Sequence, residues 1–193
     1  MTESPLSEIK VLGIAGSLRE GSYNRALLRA ARDLAPEGLE IRIFERLADI
    51  PLYNEDVRAH GDPEPVVALK EAIRRADALL WATPEYNYSI PGVLKNAIDW
   101  ASRPPKDSPL NGKPVAIMGA TTGLWGTVRS QMHLRQVCVF TNMHPLNKPQ
   151  VLVARAASKF DDDGHLTDET TRRFVRELLV ALVEWTMRLD ENS

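Results

Sequence analysis

The charges of this chain nearly cancel, because 24 lysine and arginine residues against 26 aspartate and glutamate residues give 193 residues a net charge of −2. This balance excludes the strongly basic surface of a dedicated nucleic-acid or membrane-surface protein, and no run approaches the roughly 20 apolar residues of a membrane span. The N-terminal stretch has no signal-peptide core, so we expect one cytoplasmic domain, residues 1–193, that binds small molecules in a pocket, with neither nucleic acid nor membrane as partner.

Five short apolar runs predict strands at residues 9–15, 39–44, 78–83, 114–120 and 149–154. Three of them lack polar alternation, as parallel strands covered on both faces do, whereas 39–44 alternates and is expected at a sheet edge. Apolar residues at helical spacing predict five helices, around Leu27, Val66, Leu94, Val128 and Phe174. The strict alternation predicts an α/β fold, a doubly wound five-stranded parallel sheet of order 2-1-3-4-5 with helices on both faces.

The connection from the first strand to the first helix has the sequence GSLREGSYNRALLRAA. In doubly wound sheets, ligands bind outside the carboxyl ends of the strands, where this loop lies. Free backbone N–H groups and the positive end of the helix dipole favour an anion at such a helix start. The polar side chains that converge there are Ser17, Arg19, Ser22 and Asn24. The loop therefore predicts a site for a phosphate monoester.

The same loop also has a purely structural explanation, in which Ser22 only caps the helix and Gly16 and Gly21 only turn the chain. Its sequence matches neither GxxxxGK(S/T) nor GxGxxG, which disfavours both a Walker-type nucleotide site and a dinucleotide site. If the loop binds a nucleotide, a mononucleotide fits it better.

After the third strand the chain continues TPEYNYSIPGVLKNAIDW, with more aromatic and amide groups than a strand-to-helix turn requires. The strand order 2-1-3-4-5 brings this segment beside the phosphate loop. The Tyr86 ring can stack on or edge a conjugated ring, while the Asn87 amide and nearby N–H groups reach heteroatoms at its rim. A phosphate site next to such a platform predicts a site for flavin mononucleotide, FMN.

The segments GSLREGSYNR and PEYNYSIPGVLKNAIDWASRP together resemble the NADPH-dependent FMN reductase family, a flavodoxin-like group that includes quinone, chromate and azo-dye reductases. The resemblance extends from residue 9 to about residue 153. It implies that the FMN phosphate is bound by Ser17, Arg19, Ser22 and Asn24. It implies in the same way that the isoalloxazine ring is bound by Pro84, Glu85, Tyr86 and Asn87.

A third segment of the family follows the fourth strand and occurs here as GATTGLWGTVRSQMHLRQV. By resemblance, the residues along the flavin would be Thr121, Thr122 and Gly123. Family members often have two adjacent glycines before the arginine, whereas this chain has Gly126 and Thr127 before Arg129, preceded by the bulky Trp125. Trp125 would either narrow the substrate pocket or fill a subunit contact.

The resemblance implies hydride transfer from NADPH or NADH to FMN, and then reduction of a small-molecule electron acceptor. That acceptor is a quinone, an azo compound, an oxidised metal ion or free flavin. Because the cofactor performs this chemistry, the protein needs no catalytic acid, base or nucleophile of its own.

No metal site is expected, because none of the four histidines, at positions 60, 133, 144 and 165, has a metal-ligand spacing. The stretch FDDDGHLTDET lacks a calcium loop's final glutamate, since Arg172 occupies that position. It predicts a turn before a last helix capped by Thr167. The single cysteine, Cys138, has no partner thiol in the sequence and is expected to fill the core.

Two other functions stay open: a flavodoxin-type electron carrier with the same fold and cofactor, and a flavin-free α/β interaction domain. Carriers tend to be strongly acidic and to lack an arginine in the phosphate loop, so the net charge of −2 and Arg19 favour the reductase. The resemblance, together with apolar residues in 91–100 and in the last helix, leads us to expect a homodimer or homotetramer.

Overall fold

The computed structural model describes residues 8–191. Its strands are β1 (Ile9–Ala15), β2 (Leu39–Ile43), β3 (Ala78–Ala82), β4 (Pro114–Ala120), β5 (His144–Pro145) and β6 (Val151–Val153). They form one parallel sheet of order β2-β1-β3-β4-β5, with β6 also paired to β4. The predicted strand order is confirmed, and β2 lies at an edge as its alternating pattern indicated.

Two short strands, rather than one, occupy the fifth position of the sheet. β5 pairs with the start of β4 at Pro114 and Val115, and β6 pairs with its end from Met118 to Ala120. The single strand predicted at 149–154 was therefore too long at both ends, and the strand at 144–145 was missed. Pro145 and Pro149 have no N–H group to donate to the ladder, and residues 146–150 between the two short strands belong to neither of them.

The helices are α1 (Tyr23–Asp33), α2 (Glu55–Ala59), α3 (Glu64–Arg75), α4 (Gly92–Ala101), α5 (Val128–Thr141) and α6 (Glu169–Asp190). All five predicted helices are present, and α2 is an additional short helix in the connection after β2. The predicted cap of the last helix was wrong by one residue. The Asp168 carboxylate accepts from the Thr171 N–H at 2.8 Å, while the Thr167 hydroxyl donates to the Lys159 carbonyl.

Two layers of helices cover the sheet, with α1 and α6 on one face and α3, α4 and α5 on the other. Successive strand residues point to opposite faces of the sheet. In β3, Leu80 and Ala82 pack in the first layer, with α1 and α6, whereas Leu79 and Trp81 pack in the second layer, with α3, α4 and α5. Because both faces are buried, the central strands are apolar throughout, which explains the missing polar alternation in the sequence.

Burial confirms one prediction about side chains and corrects another. Cys138 is fully buried in the second layer, and this desolvation raises the pKa of its thiol to about 12. The apolar side chains of α4, including Leu94, Ile98 and Trp100, are also buried, so this helix does not offer the free apolar surface that its sequence suggested. Across residues 8–191, no helix is both long and apolar enough to cross a lipid bilayer.

Candidate functional site

Three loops emerge from the carboxyl ends of neighbouring strands at one edge of the sheet. They follow β1, β3 and β4, and comprise residues 16–22, 83–91 and 121–127. Backbone bonds keep the strand ends aligned, since the Gly16 N–H donates to the Ala82 carbonyl at 2.9 Å and the Thr83 N–H donates to the Met118 carbonyl at 2.9 Å. The sheet therefore brings all three sequence-predicted segments together.

The loop after β1 leads into α1 through a serine cap. The Ser22 hydroxyl oxygen accepts from the N–H groups of Asn24 and Arg25 at 3.2 and 3.4 Å, so the predicted capping role is real. Capping does not occupy the hydroxyl proton, which has no acceptor among the described residues. Ser22 can therefore cap α1 and still donate to an anion beside it.

The same loop presents backbone N–H groups without internal partners. In the range 8–191, no carbonyl or side chain accepts from the N–H groups of residues 17–21. The Arg19 guanidinium folds over this loop and donates to the Gly21 carbonyl at 2.9 Å, while Ser17 is buried below it. A cluster of free N–H groups with a cation at a helix start has the donor chemistry that a phosphate group requires.

Asn24, the fourth predicted phosphate ligand, has a different main contact. Its amide is buried, donates to the Ala120 carbonyl at 2.9 Å and accepts from the Ala120 N–H at 2.8 Å. These two bonds connect the start of α1 to the end of β4, two elements 96 positions apart in sequence. Asn24 thus fixes the end of the phosphate loop to β4, and one proton of its amide group is left for a ligand.

The loop after β3 contains a tight turn, residues 86–89, that holds two residues in the left-handed region. Tyr86 and Ser89 exchange backbone hydrogen bonds of 3.1 and 2.9 Å, and between them Asn87 and Tyr88 have φ of 49° and 66°. Asparagine tolerates this conformation, whereas for tyrosine it is strained by about 1 kcal/mol or more. A strained turn of this kind persists only where surrounding contacts support it.

The turn presents flat and polar groups next to the phosphate loop. The Tyr86 ring is 49% exposed, and its hydroxyl lies 3.4 Å from the Ser17 hydroxyl of the first loop. The Asn87 amide is exposed and bonds to no other residue in the described part of the chain. Pro84 is buried beneath them. We call residues 84–88 the platform.

Glu85 lies in the platform, but its carboxylate points away from the exposed surface. It contacts α5, where it accepts from the Arg129 N–H at 2.9 Å and from the Arg129 guanidinium at 2.6 Å. Only the backbone of Glu85 is left for a ligand on the platform. The sequence pattern had identified the residue without showing which of its groups is available.

The loop after β4 is fastened by its backbone to the segment that follows β6. The Thr121 N–H donates to the Val153 carbonyl, and the carbonyls of Thr121 and Gly123 accept from the N–H groups of Ala156 and Arg155, all at 2.9 Å. Thr122 and Gly123 are exposed in this loop, and their predicted position along the flavin stays a prediction.

The two departures from the family pattern differ in exposure. Trp125 is exposed near the Arg129 guanidinium, 5.8 Å from ring centroid to guanidinium carbon. Thr127 is fully buried with φ of 66°, and its hydroxyl accepts from the Gln131 amide at 3.2 Å. The Thr127 side chain therefore packs inside the protein under the loop.

One side-chain cluster was not anticipated from sequence spacing. Asp161, Asp163 and His165 bring their ligand atoms within 4.8 Å of one another in the turn before α6. All three side chains are exposed, and exposed acidic groups of this kind are common without a metal ion. The cluster lies outside the three loops of the sheet edge.

A doubly wound sheet whose β1 loop carries free N–H groups, beside an exposed aromatic and amide platform, fits FMN binding. The loop offers donors for the phosphate, and the platform offers a flat surface and hydrogen-bonding groups for the ring. This arrangement defines a flavodoxin-like, FMN-binding class of protein.

Comparison with known proteins identifies the family. The sequence profile of NADPH-dependent FMN reductases matches residues 9–158. An NAD(P)H-dependent FMN reductase of Pseudomonas aeruginosa is 56% identical, with 94% of this chain and 97% of the relative covered. A quinone reductase of Escherichia coli is 43% identical, with 94% of this chain and 97% of the relative covered. The chain belongs to the NADPH-dependent FMN reductase family.

A solved structure supports the same assignment. FerB, a flavoenzyme NAD(P)H:(acceptor) oxidoreductase of Paracoccus denitrificans, superposes with a TM-score of 0.85 at 36% identity, covering 93% of this chain and 98% of FerB. The protein is therefore an oxidoreductase of this family, with FMN as its cofactor and NAD(P)H as its electron donor.

Proposed function

We propose that this protein transfers electrons from NADPH, through bound FMN, to a small organic or inorganic acceptor, with quinones as the first class to test. The observation that supports this proposal is the loop of free N–H groups at residues 17–21, which lies beside the exposed platform at the carboxyl ends of the strands. The quinone class is favoured because the relative from Escherichia coli is named a quinone reductase and the one from potato an NAD(P)H:quinone oxidoreductase.

In this proposal, the side chains of Ser17, Arg19 and Ser22 hold the phosphate together with the backbone N–H groups of the loop. Asn24 supports them through its bonds to Ala120. The ring is positioned by the platform residues Pro84, Tyr86 and Asn87, by the Glu85 backbone, and by Thr121, Thr122 and Gly123. Of these positions, the Arg19 contact is charge-assisted and should contribute most to affinity.

Bound FMN supplies the redox chemistry, as a hydride acceptor for NADPH and an electron donor for the second substrate. The protein would contribute position: a ring held on the exposed platform would have one open face, on which each substrate would need to approach within about 3 to 3.5 Å of the reacting atom. No second nicotinamide site is needed, because the two substrates can use this face in turn. The cytoplasmic location expected from the sequence is part of the same proposal.

We further propose a homodimer or homotetramer in which α5 takes part in the contact. Val139 and Phe140 on α5 are 81% and 76% exposed, and Met132 on the same helix is also exposed. Large apolar side chains at this density on one helix are typical of a surface that a second subunit covers. A tetramer or dimer mass by light scattering at micromolar concentration is expected, and Val139→Asp should shift it toward the monomer.

Steady-state kinetics test the proposed reaction. With NADPH and a quinone varied together, parallel double-reciprocal lines are expected, because the two substrates exclude each other from one open face. Replacement of Asn87 should lower turnover by misplacing the ring, whereas replacement of Arg32, on the far part of α1, should not. Intersecting lines would indicate a ternary complex and a separate nicotinamide site.

The same assay, run over quinones, azo dyes, chromate and free FMN with NADH beside NADPH, ranks acceptors and donors. If the flavin-bound protein oxidises neither nucleotide with any acceptor, the reductase proposal fails. The electron carrier, which shares the fold and the cofactor, would then be the better explanation.

A further inference from the structure

Helix α5 begins without a cap of its own. Its N-cap residue, Thr127, has a left-handed backbone, and its side chain makes no capping hydrogen bond. The Thr127 hydroxyl instead accepts from the Gln131 amide inside the helix. The first N–H groups of a helix have no partner within the helix, so those of α5 need an acceptor from elsewhere.

Glu85 supplies that acceptor from 44 residues upstream. One carboxylate oxygen accepts from the N–H groups of Arg129 and Ser130 at 2.9 and 3.3 Å, and the other contacts the Arg129 guanidinium at 2.6 Å. The Glu85 side chain is only 9% exposed, so water has little access to its carboxylate and these protein groups are its main partners. The positive end of the helix dipole favours a carboxylate at this place as well.

Arg129 carries this contact onward to the platform. Its guanidinium carbon lies 3.7 Å from the centroid of the Tyr88 ring, in the strained half of the turn. One helical turn later, the His133 ring is bonded to the Ser89 hydroxyl at 2.9 Å. The turn at 86–89 thus contacts α5 through its last two residues, Tyr88 and Ser89. Glu85, the residue directly before the turn, also bonds to α5.

We propose that Glu85 is a positioning residue for the FMN ring: by capping α5 and holding Arg129 against Tyr88, it fixes the platform turn in its strained conformation. The carboxylate acts through α5 and makes no contact with the cofactor. The turn's own two backbone bonds do not relieve the left-handed conformation of Tyr88, so loss of the cap should let Tyr86 and Asn87 move. The inference rests on the proposed FMN site and assigns a mechanism to one of its residues.

The test compares Glu85→Ala, which removes the acceptor, with Glu85→Gln, whose amide oxygen can still accept from the α5 N–H groups. FMN affinity, measured by flavin fluorescence, should fall about tenfold or more in Glu85→Ala and stay within about threefold of wild type in Glu85→Gln. Turnover should likewise fall more in Glu85→Ala than in Glu85→Gln, while the KM for NADPH should change little in either variant. In the apoprotein, hydrogen exchange at Arg129 and Ser130 should accelerate only in Glu85→Ala.

Asp168→Ala is the matched control, because Asp168 also caps a helix, α6, and also pairs with a cation, Lys159. This variant should lower the melting temperature without changing FMN affinity. Combining Glu85→Ala with Arg129→Met should weaken FMN binding no more than the stronger single change, since the two residues act as one unit.

Three results would overturn the inference. Unchanged FMN affinity and turnover in Glu85→Ala, with a melting temperature lowered as in Asp168→Ala, would leave Glu85 a cap without influence on the site. Equal losses in Glu85→Ala and Glu85→Gln, additive with Arg129→Met, would mean that the carboxylate touches the ligand directly. A wild-type protein that binds no FMN would overturn the proposed function and this inference together. If wild type binds FMN and either of the first two results is found, only the inference about Glu85 fails.

Discussion

The phosphate loop and the platform lie side by side at one sheet edge, yet they are stabilised over very different distances in sequence. In the phosphate loop, Ser22 bonds to residues two and three positions away, and Arg19 bonds to Gly21. Glu85 in the platform and Ser89, the residue directly after it, each contact α5 at a separation of 44 residues. The side chains of Arg19 and Ser22 thus bond to nearby residues, and the Asn24 amide joins the end of this loop to β4, whereas the platform is held mainly by α5.

We infer from this difference that the two halves of the proposed site recognise FMN in different ways. A local loop at a helix start presents backbone N–H groups to any phosphate, so its affinity depends mainly on charge. In the proposed site, the platform instead depends on the position of a strained turn, which we infer is fixed by contacts as remote as the α5 N-terminus. We therefore expect packing changes to damage the platform and charge changes to damage the phosphate loop.

The largest effect is expected from Gly119→Ala, in β4 beneath the platform. An added Cβ at this position would lie 2.0 Å from the Thr127 hydroxyl and 2.4 Å from the Thr83 carbonyl. Relieving this overlap should lower the free energy of unfolding of the apoprotein by roughly 3 kcal/mol. Gly21→Ala in the phosphate loop is the control, because its Cβ meets no atom within 4 Å, and it should stay within about 0.5 kcal/mol of wild type. Urea titration of both variants measures the difference, and equal stabilities would contradict it.

A smaller effect, confined to binding, is expected from Arg19→Ala. Loss of one charge-assisted phosphate contact should cost about 1.5 to 3 kcal/mol, which weakens FMN binding roughly tenfold to more than a hundredfold. Arg32→Ala, at the other end of α1, removes an equal charge and should leave the affinity nearly unchanged. Flavin retention on dialysis and fluorescence titration give the affinities. Full retention of FMN by the Arg19 variant would show that the charge of Arg19 does not contribute to FMN binding by this loop.

The smallest effect is expected at Asn87, where backbone strain and ligand contact can be separated. Asn87→Gly accepts φ of 49° without cost and removes only the amide, so FMN affinity should fall by about 0.5 to 1.5 kcal/mol with unfolding stability nearly constant. Asn87→Ala adds the strain of a left-handed Cβ and should lose about 1 kcal/mol of stability relative to the glycine variant. If both variants bind FMN like wild type, the Asn87 amide makes no contact with the ring.

The outcome for the sequence-based expectations follows the same division between local and remote contacts. The Ser22 cap, the buried Cys138 and the edge position of β2 could be predicted, since each depends on residue type and local pattern. The brace from Asn24 to Ala120 could not, because it joins segments 96 positions apart and nothing in either segment specifies the other. For Thr127, the sequence showed only a departure from the family pattern, and only the structure shows its left-handed backbone and the bond of its hydroxyl with the Gln131 amide.

By itself, the sequence determined the strand order and the three loops at one sheet edge, because apolar periodicity and the rules of parallel crossovers leave few alternatives. The motifs within those loops also determined the family. Only the tertiary structure decided which polar groups of each loop are bonded internally and which are left without a partner among the described residues. The Glu85 carboxylate caps α5 because folding brings an uncapped helix N-terminus beside it. Such a pairing depends on three-dimensional proximity, which the pattern of residues along the chain does not encode locally.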